Sequence, residues 1–196
     1  ALPSQRCLQG PQRSKGGEVM KTTQILIAGF GGQGVLFAGK FLAYKGLMEE
    51  KQLSWLPSYG PEMRGGTANC SVIISDMPVG SPIIANPDVL IAMNLPSLKK
   101  YENDVVSGGI IIIDSTLIGR KVERDDVEAF YIPATAMAAE IGAPTLANMI
   151  MLGKMIKETG IIKLEDVEKG LKKVIPAKKA DMLGLNMKAI ETGYNF

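Results

Sequence analysis

Ile25-Leu26-Ile27-Ala28-Gly29-Phe30-Gly31-Gly32-Gln33-Gly34 carries an apolar β run straight into a glycine-rich turn. A helical pattern starts at once, with Val35, Leu36, Ala38 and Phe41. Gly29, Gly31 and Gly34 fit the spacing G-x-G-x-x-G. Such a turn lets backbone N–H groups approach a phosphate at a helix N-terminus, where the dipole favours negative charge. Many α/β proteins use the same turn only to pack a helix tightly on a sheet. What the turn holds is decided by the rest of the chain.

A dinucleotide site expects an acidic residue near the end of the second strand, about 20 residues past the last glycine, to bind the ribose. The run Leu53-Ser54-Trp55-Leu56 reads as that strand and ends in Pro57. Glu49 and Glu50 lie before it, at the end of the first helix. The mismatch counts against NAD. Two readings stay open beside it: a turn used only for packing, and a phosphate or cofactor edge completed by other chains.

Outward from the turn, the first strand is expected over 24–28 and the first helix over 34–49. A turn-rich connection, 57–66, leads to an alternating strand over 68–74. Val89 to Met93 is a short apolar run of the buried-strand type. Asn94, Pro96 and Ser97 open a helix reaching Tyr101, and Ile110-Ile111-Ile112-Ile113 is the clearest strand. Phe130-Tyr131-Ile132 is the last strand, followed by helix over 134–140. Thr145 is placed to cap a helix over 146–158, and two more helices fit 164–174 and 176–192. Strands alternating with crossover helices predict one α/β domain over 20–196. It has a mostly parallel, Rossmann-like sheet, helices on both faces and a helical C-terminal part. Residues 1–19 read as a polar leader without a folded role, upstream or expression-derived, because Met20-Lys21-Thr22-Thr23 resembles a natural start.

Composition narrows the chemistry. The chain has 196 residues, 46% hydrophobic and 21% charged, enough for one sizeable core. Its net charge of +2 comes from Arg6, Arg13 and Lys15 against Glu18, all in the leader. A neutral body argues against nucleic-acid binding. No apolar run approaches the roughly 20 residues that span a membrane. There is no histidine, and the two cysteines are Cys7 and Cys70. Histidine acid/base chemistry, a structural zinc site and a self-held iron–sulfur cluster are thereby excluded. A reduced, cytoplasmic protein is the expectation. Cys70, in an apolar strand, reads as a small hydrophobe.

The second distinctive segment is Ser58-Tyr59-Gly60-Pro61-Glu62-Met63-Arg64-Gly65-Gly66-Thr67-Ala68-Asn69. Its breakers imply a shaped loop presenting Tyr59, Glu62 and Arg64 together. Arginine offers a planar fork of donors for a carboxylate or phosphate. The alternative is a Glu62–Arg64 surface pair that contributes little. The stretch Asn148-Met149-Ile150-Met151-Leu152-Gly153-Lys154-Met155-Ile156 is apolar round most of a helix and reads as core. Asn148 makes either an internal hydrogen bond or a polar contact across a subunit boundary. The lysines at 172–173 and 178–179 read as solvated helix faces.

ILIAGFGGQG, SWLPSYGPEMRGGTANCSVIIS, the segment Ile91-Ala92-Met93-Asn94-Leu95-Pro96-Ser97-Leu98 and the turn Asp114-Ser115-Thr116-Leu117-Ile118 together resemble the gamma subunit of 2-oxoacid:ferredoxin oxidoreductases. The resemblance runs from Lys21 to Phe196 and includes Leu185-Asn186-Met187-Lys188-Ala189-Ile190-Glu191. The stretch 57–66 is more similar to the 2-oxoglutarate branch than to the pyruvate branch.

The resemblance implies a complex that oxidatively decarboxylates a 2-oxoacid to the acyl-coenzyme A and passes electrons to ferredoxin. Thiamine diphosphate supplies the carbanion chemistry in such complexes. It implies that thiamine diphosphate, Mg²⁺ and [4Fe-4S] clusters are held mainly by alpha, beta and possibly delta subunits. This chain then carries no catalytic residue and no metal ligand of its own, and is inactive alone. The expectation is that residues 29–34 and 59–67 meet at the carboxyl edge of the sheet and border the shared site or the coenzyme A pocket. The candidate binding residues are Gly29, Gly31, Gly32, Gln33, Gly34, Tyr59, Glu62, Arg64, Gly65 and Thr67. Arg64 faces an anionic group, and the backbone at Gly31, Gly32 and Gln33 offers N–H donors. Asn94 and Ser115 end strands on the same edge, and each is equally placed to be a helix cap. The rival readings are a stand-alone NAD- or FAD-binding oxidoreductase and a structural subunit that touches no ligand.

Overall fold

The first strand, β1 (Thr22–Phe30), is the axis on which the other elements are arranged. The structure is a computed structural model and describes residues 21–58 and 67–196. After β1 come α1 (Val35–Met48), β2 (Gln52–Ser58), β3 (Thr67–Ser75), β4 (Val89–Ala92) and α2 (Leu95–Tyr101). β5 (Ile110–Asp114), β6 (Glu128–Ile132) and α3 (Ala134–Glu140) follow. The C-terminal part is α4 (Ala147–Thr159), α5 (Val167–Val174) and α6 (Met182–Tyr194).

These strands form one six-stranded sheet in the order β2-β3-β1-β4-β5-β6. β1, β4, β5 and β6 run parallel. β3 lies antiparallel between β1 and β2. The sheet is therefore mostly parallel, as predicted, with one reversed strand inserted beside the central one. The reversal has a simple cause. An antiparallel neighbour can be reached by a short connection, whereas a parallel one needs a crossover of a dozen residues or more. Residues 59–66 are too few for that crossover.

Alternation along the strands divides the core. Ile25, Ile27, Cys70, Val72, Ile91 and Ile112 face one side, under α1 and the C-terminal helices. Leu26, Leu90, Ala92, Ile111 and Ile113 face the other, with Leu98 of α2, Val105 and Ile118. Both faces are covered, but unequally. The first holds nearly all the helical mass because the methionine-rich α4 is buried along Ala147–Ile156 and packs on β5.

Glycines set the closest approaches. A Cβ at Gly39 would collide with Cys70 Sγ, so α1 lies directly on β3. Cβ atoms at Gly153 and Gly193 would land on the Ile190 and Ile150 carbonyl oxygens, so α4 and α6 touch backbone to backbone. On α1, Lys45 is fully buried and pairs with Glu49 at 2.5 Å. The same Glu49 oxygen accepts the Lys163 N–H at 3.2 Å, tying the helix end to the chain before α5.

Three helix starts differ from the sequence expectation, the first being α5, which begins at Val167 rather than 164 after a 3-10 turn, Leu164–Asp166. Thr145 sits in a single 3-10 turn, Pro144–Leu146, and makes no cap for α4. The last helix begins at Met182 rather than 176, because Pro176 leads into a separate 3-10 turn, Ala177–Lys179. Among the described residues no helix is long and apolar enough to cross a membrane.

Two outcomes follow from this packing. Gly193→Ala should force α6 away from α4 and lower the unfolding free energy by about 2 kcal/mol or more, measured by urea denaturation. Cys70 is buried, and burial pushes its thiol up to about 11 despite an opposing hydrogen bond with the Trp55 side chain. Its reactive thiolate is therefore scarce at pH 8. Iodoacetamide should leave Cys70 unlabelled in the native chain and label it after unfolding, read by peptide mass spectrometry.

Candidate edge site at the end of strand one

The carboxyl end of β1 sits between two neighbours. Phe30 is in register with Thr67 of β3, and Ala28 pairs with both Asn69 of β3 and Ala92 of β4. Ser58, the last residue of β2, pairs with Asn69. The chain therefore leaves β2 and re-enters β3 on the edge where the glycine turn begins. Tyr59, Glu62, Arg64 and Gly65 lie outside the described residues, and Thr67 is placed only as a strand position.

The turn itself is fastened by one side chain. Gln33 folds back so that its Oε1 accepts the Phe30 N–H at 2.6 Å. Its Nε2 donates to the Met93 carbonyl at 3.1 Å, and its own N–H donates to the Phe30 carbonyl at 3.2 Å. Gln33 thus bridges the ends of β1 and β4. Both ends of its side chain and its backbone donor are engaged within the chain. Gly29 is buried where a Cβ would stand 2.6 Å from Gln33 Oε1 and 3.0 Å from Met93 Cβ. Gly32 and Gly34 have φ of +97° and +74°, which L side chains rarely adopt. Gly31 and Gly32 are exposed at the crest of the turn. They are the members of the turn left open to a partner or ligand.

A second amide holds the turn from the helical side. Asn148 of α4 donates from Nδ2 to the Gly34 carbonyl at 3.0 Å, and Ala38 N–H donates to the same carbonyl at 3.0 Å. Of the two expectations for Asn148, the internal hydrogen bond is the one observed. Asn94 acts as a cap: its Oδ1 accepts the Ser97 N–H at 2.8 Å and opens α2. No helix starts at Ser115, whose N–H donates to the Ile132 carbonyl at 2.9 Å. The capping role at the end of β5 belongs to Asp114, fully buried and not singled out from sequence. It accepts from Thr116 N–H at 3.1 Å and from Thr135 Oγ1 at 2.5 Å, joining the β5 turn to α3. An acidic residue directly after four isoleucines was the signal for it.

Behind the glycine turn, on the helical face, lies a cavity of about 380 Å³. Gly34, Phe37, Asn148 and Asn186 are among its lining residues, and Lys40 and Lys179 supply its charge. No local signal in the sequence marks it, because its walls come from four separated helices and the segment after α5.

Comparison with known proteins follows the same edge and sheet. The family described as pyruvate ferredoxin/flavodoxin oxidoreductase matches residues 24–196. The 2-oxoglutarate synthase subunit KorC of Methanocaldococcus jannaschii is 35% identical over 174 residues, covering 87% of this chain and 91% of that protein. The ketoisovalerate oxidoreductase subunit VorA of Methanothermobacter thermautotrophicus is 42% identical over 173 residues, but these are 87% of this chain and 35% of VorA. This chain thus spans about a third of the length of the VorA relatives it matches. The keto/oxoacid ferredoxin oxidoreductase gamma subunit of Geobacter sulfurreducens superposes with a TM-score of 0.75 at 31% identity, over 88% of this chain and 96% of that one. The resemblance carried by the glycine turn and the 57–69 segment extends to the whole sheet, and the chain belongs to the pyruvate ferredoxin/flavodoxin oxidoreductase family.

Proposed function

We propose that this chain is the gamma subunit of a thiamine-diphosphate-dependent 2-oxoacid:ferredoxin oxidoreductase. In the reaction the bond between the carboxylate and the oxo carbon breaks, CO₂ leaves, the acyl group joins the sulfur of coenzyme A as its thiol proton is released, and two electrons pass to ferredoxin. Thiamine diphosphate supplies the carbanion chemistry when bound. Among the described residues no three of Cys, Asp and Glu gather where they could hold a metal ion. Following the family resemblance, the cofactor, its Mg²⁺ and the clusters are assigned to alpha, beta and possibly delta partners, in a cytoplasmic complex. The observation that carries the reading is the register of β1. It puts the glycine turn and the boundaries of the 59–66 segment on one edge, in a chain whose family is that of these oxidoreductases.

On this reading the chain contributes an edge rather than a reacting group. Gln33 is a positioning residue that sets the height of Gly31 and Gly32 above the sheet. The exposed crest offers backbone donors to coenzyme A or to the shared site, and Arg64 meets an anionic group. The preferred substrate is 2-oxoglutarate, supported by KorC chains that match over most of their length. The 42% identity to VorA favours a second reading, in which the substrate is ketoisovalerate.

Three outcomes test the proposal. The complex co-purified from its source should turn over 2-oxoglutarate with coenzyme A and ferredoxin; turnover of ketoisovalerate alone selects the second substrate, and turnover of no 2-oxoacid removes the function. Arg64→Ala should assemble normally and lose about tenfold or more in kcat/KM, the scale of a lost charged hydrogen bond. Gln33→Ala should raise the KM for coenzyme A while lowering the stability of the isolated chain by only about 1 kcal/mol. Saturable binding of NADH or FAD to the isolated chain would instead favour the stand-alone oxidoreductase.

A further inference from the structure

Helix α1 breaks the pattern of a surface helix. Its sequence, VLFAGKFLAYKGLM, holds two lysines and no other charge, and Lys45 is fully buried in its pair with Glu49. A helix that is apolar all round belongs in an interior. Two sides of α1 are indeed covered. Gly39 and Gly46 face the sheet, where Cβ atoms would meet Cys70 and Leu53, and Phe41 and Lys45 lie against Gly170 of α5. The side away from both carries Leu36, Lys40, Ala43 and Leu47, spaced i, i+4, i+7 and i+11 on one stripe. The first three are half-buried, and Leu47 is 61% exposed. Trp55 of β2, itself 39% exposed, continues the stripe sideways, its Nε1 being 3.1 Å from where a Gly39 Cβ would stand. Helix α5 behaves differently. It turns Lys169, Lys172 and Lys173 to solvent and pairs two of them with Asp166 and Glu168. The chain puts charge where α5 meets water and leaves it out of the α1 stripe, apart from Lys40.

Three observations select what covers the stripe. Pro57 of the edge strand β2 has no N–H to give to an added strand, so contact there runs through side chains rather than a longer ladder. A second copy of the chain would bring a second Lys40 and no carboxylate on the stripe to meet it. The third observation comes from the lengths of the relatives. This chain covers 91% of the KorC protein of Methanocaldococcus jannaschii but only 35% of VorA, so the same domain occurs alone and joined to a longer polypeptide. A covalent link keeps the joined domain beside its neighbour at high effective concentration. A separate chain must hold the same neighbour by surface alone. Permanent interfaces of that kind are larger and more apolar than transient ones, and tryptophan is among their strongest anchors.

We infer that the α1 stripe, with Trp55 at its side, docks the partner subunit equivalent to the part of VorA that this chain does not cover. The partner presents an apolar surface to Leu36, Ala43, Leu47 and Trp55. It presents a carboxylate to Lys40, whose ammonium stands 5.8 Å from the Tyr44 ring centroid and has no ion pair among the described residues. The inference rests on the proposed function, which makes this chain one subunit of a complex.

The test is co-expression of the tagged full chain with its partner subunits, followed by affinity capture. Ala43→Arg with Leu47→Lys should lower the captured partner by about tenfold or more, and Lys40→Glu should lower it by a smaller factor. Ile83→Lys, outside the stripe on the connection between β3 and β4 and 71% exposed, should capture as the unaltered chain does. Circular dichroism checks that each variant folds. A second measurement needs no substitution. Trp55 is the single tryptophan, so 5-fluorotryptophan reports on it alone, and its fluorine resonance should shift when unlabelled partner is added. If the unaltered chain captures no partner, the proposed function falls and the inference with it. If it captures its partner and the double substitution changes nothing, or the Trp55 resonance does not move, the inference alone is overturned. A stable homodimer of the isolated chain that the double substitution breaks gives the stripe to a second copy and also overturns it.

Discussion

The glycine turn after β1 is held by two amide side chains acting from opposite sides. Gln33 joins the Phe30 N–H to the Met93 carbonyl, so the ends of β1 and β4 move as one. Asn148 reaches from α4 to the Gly34 carbonyl and fixes where α1 begins. Gly34 must be glycine on two counts, its positive φ and the Asn148 Nδ2 atom that stands 2.5 Å from where a Cβ would be. A segment that sequence alone presents as a glycine-rich turn is thus a clamped corner. Its exposed part is Phe30, Gly31 and Gly32.

That clamp connects the two halves of the molecule. The sheet edge depends on β1 being paired on both sides, and the helical half depends on α4 approaching α1 closely. The second condition is met by glycines: α4 and α6 touch at Gly153 and Gly193, and the pair is laid on the sheet through the methionine face of α4. The same arrangement leaves a cavity behind the turn. The fold therefore generates an edge and a pocket from one corner, and the two meet at Gly34.

Much of this was legible in the chain and some was not. Ile110 to Ile113 and Ile25 to Ala28 announce buried strands by composition, and every expected strand is present. Apolar runs carry no direction, however, so nothing in 68–74 revealed that β3 is reversed. Ala177-Lys178-Lys179-Ala180 has helical residue types, yet Pro176 turns it into an isolated 3-10 turn, a backbone effect that residue counting misses. Sequence alone points to the Gln33 backbone, while its side chain is what holds the turn. Its partner Met93 is 60 residues away, and Asn148 is 114 residues from Gly34. Such long-range amide bonds have no local signature. The family, by contrast, is readable, because its motifs are contiguous stretches such as ILIAGFGGQG and SWLPSYGPEMRGGTANCSVIIS, whose residues need no long-range contact to be seen.

On the proposed function, the corner becomes a ligand-facing edge only in the assembled oxidoreductase. Hydrogen–deuterium exchange on the purified complex, with and without coenzyme A, decides the point. Exchange at the Gly31 and Gly32 amides should slow when coenzyme A is present, with no such change in the isolated chain lacking its partners. Exchange at these amides that is identical with and without coenzyme A in the working complex would contradict it.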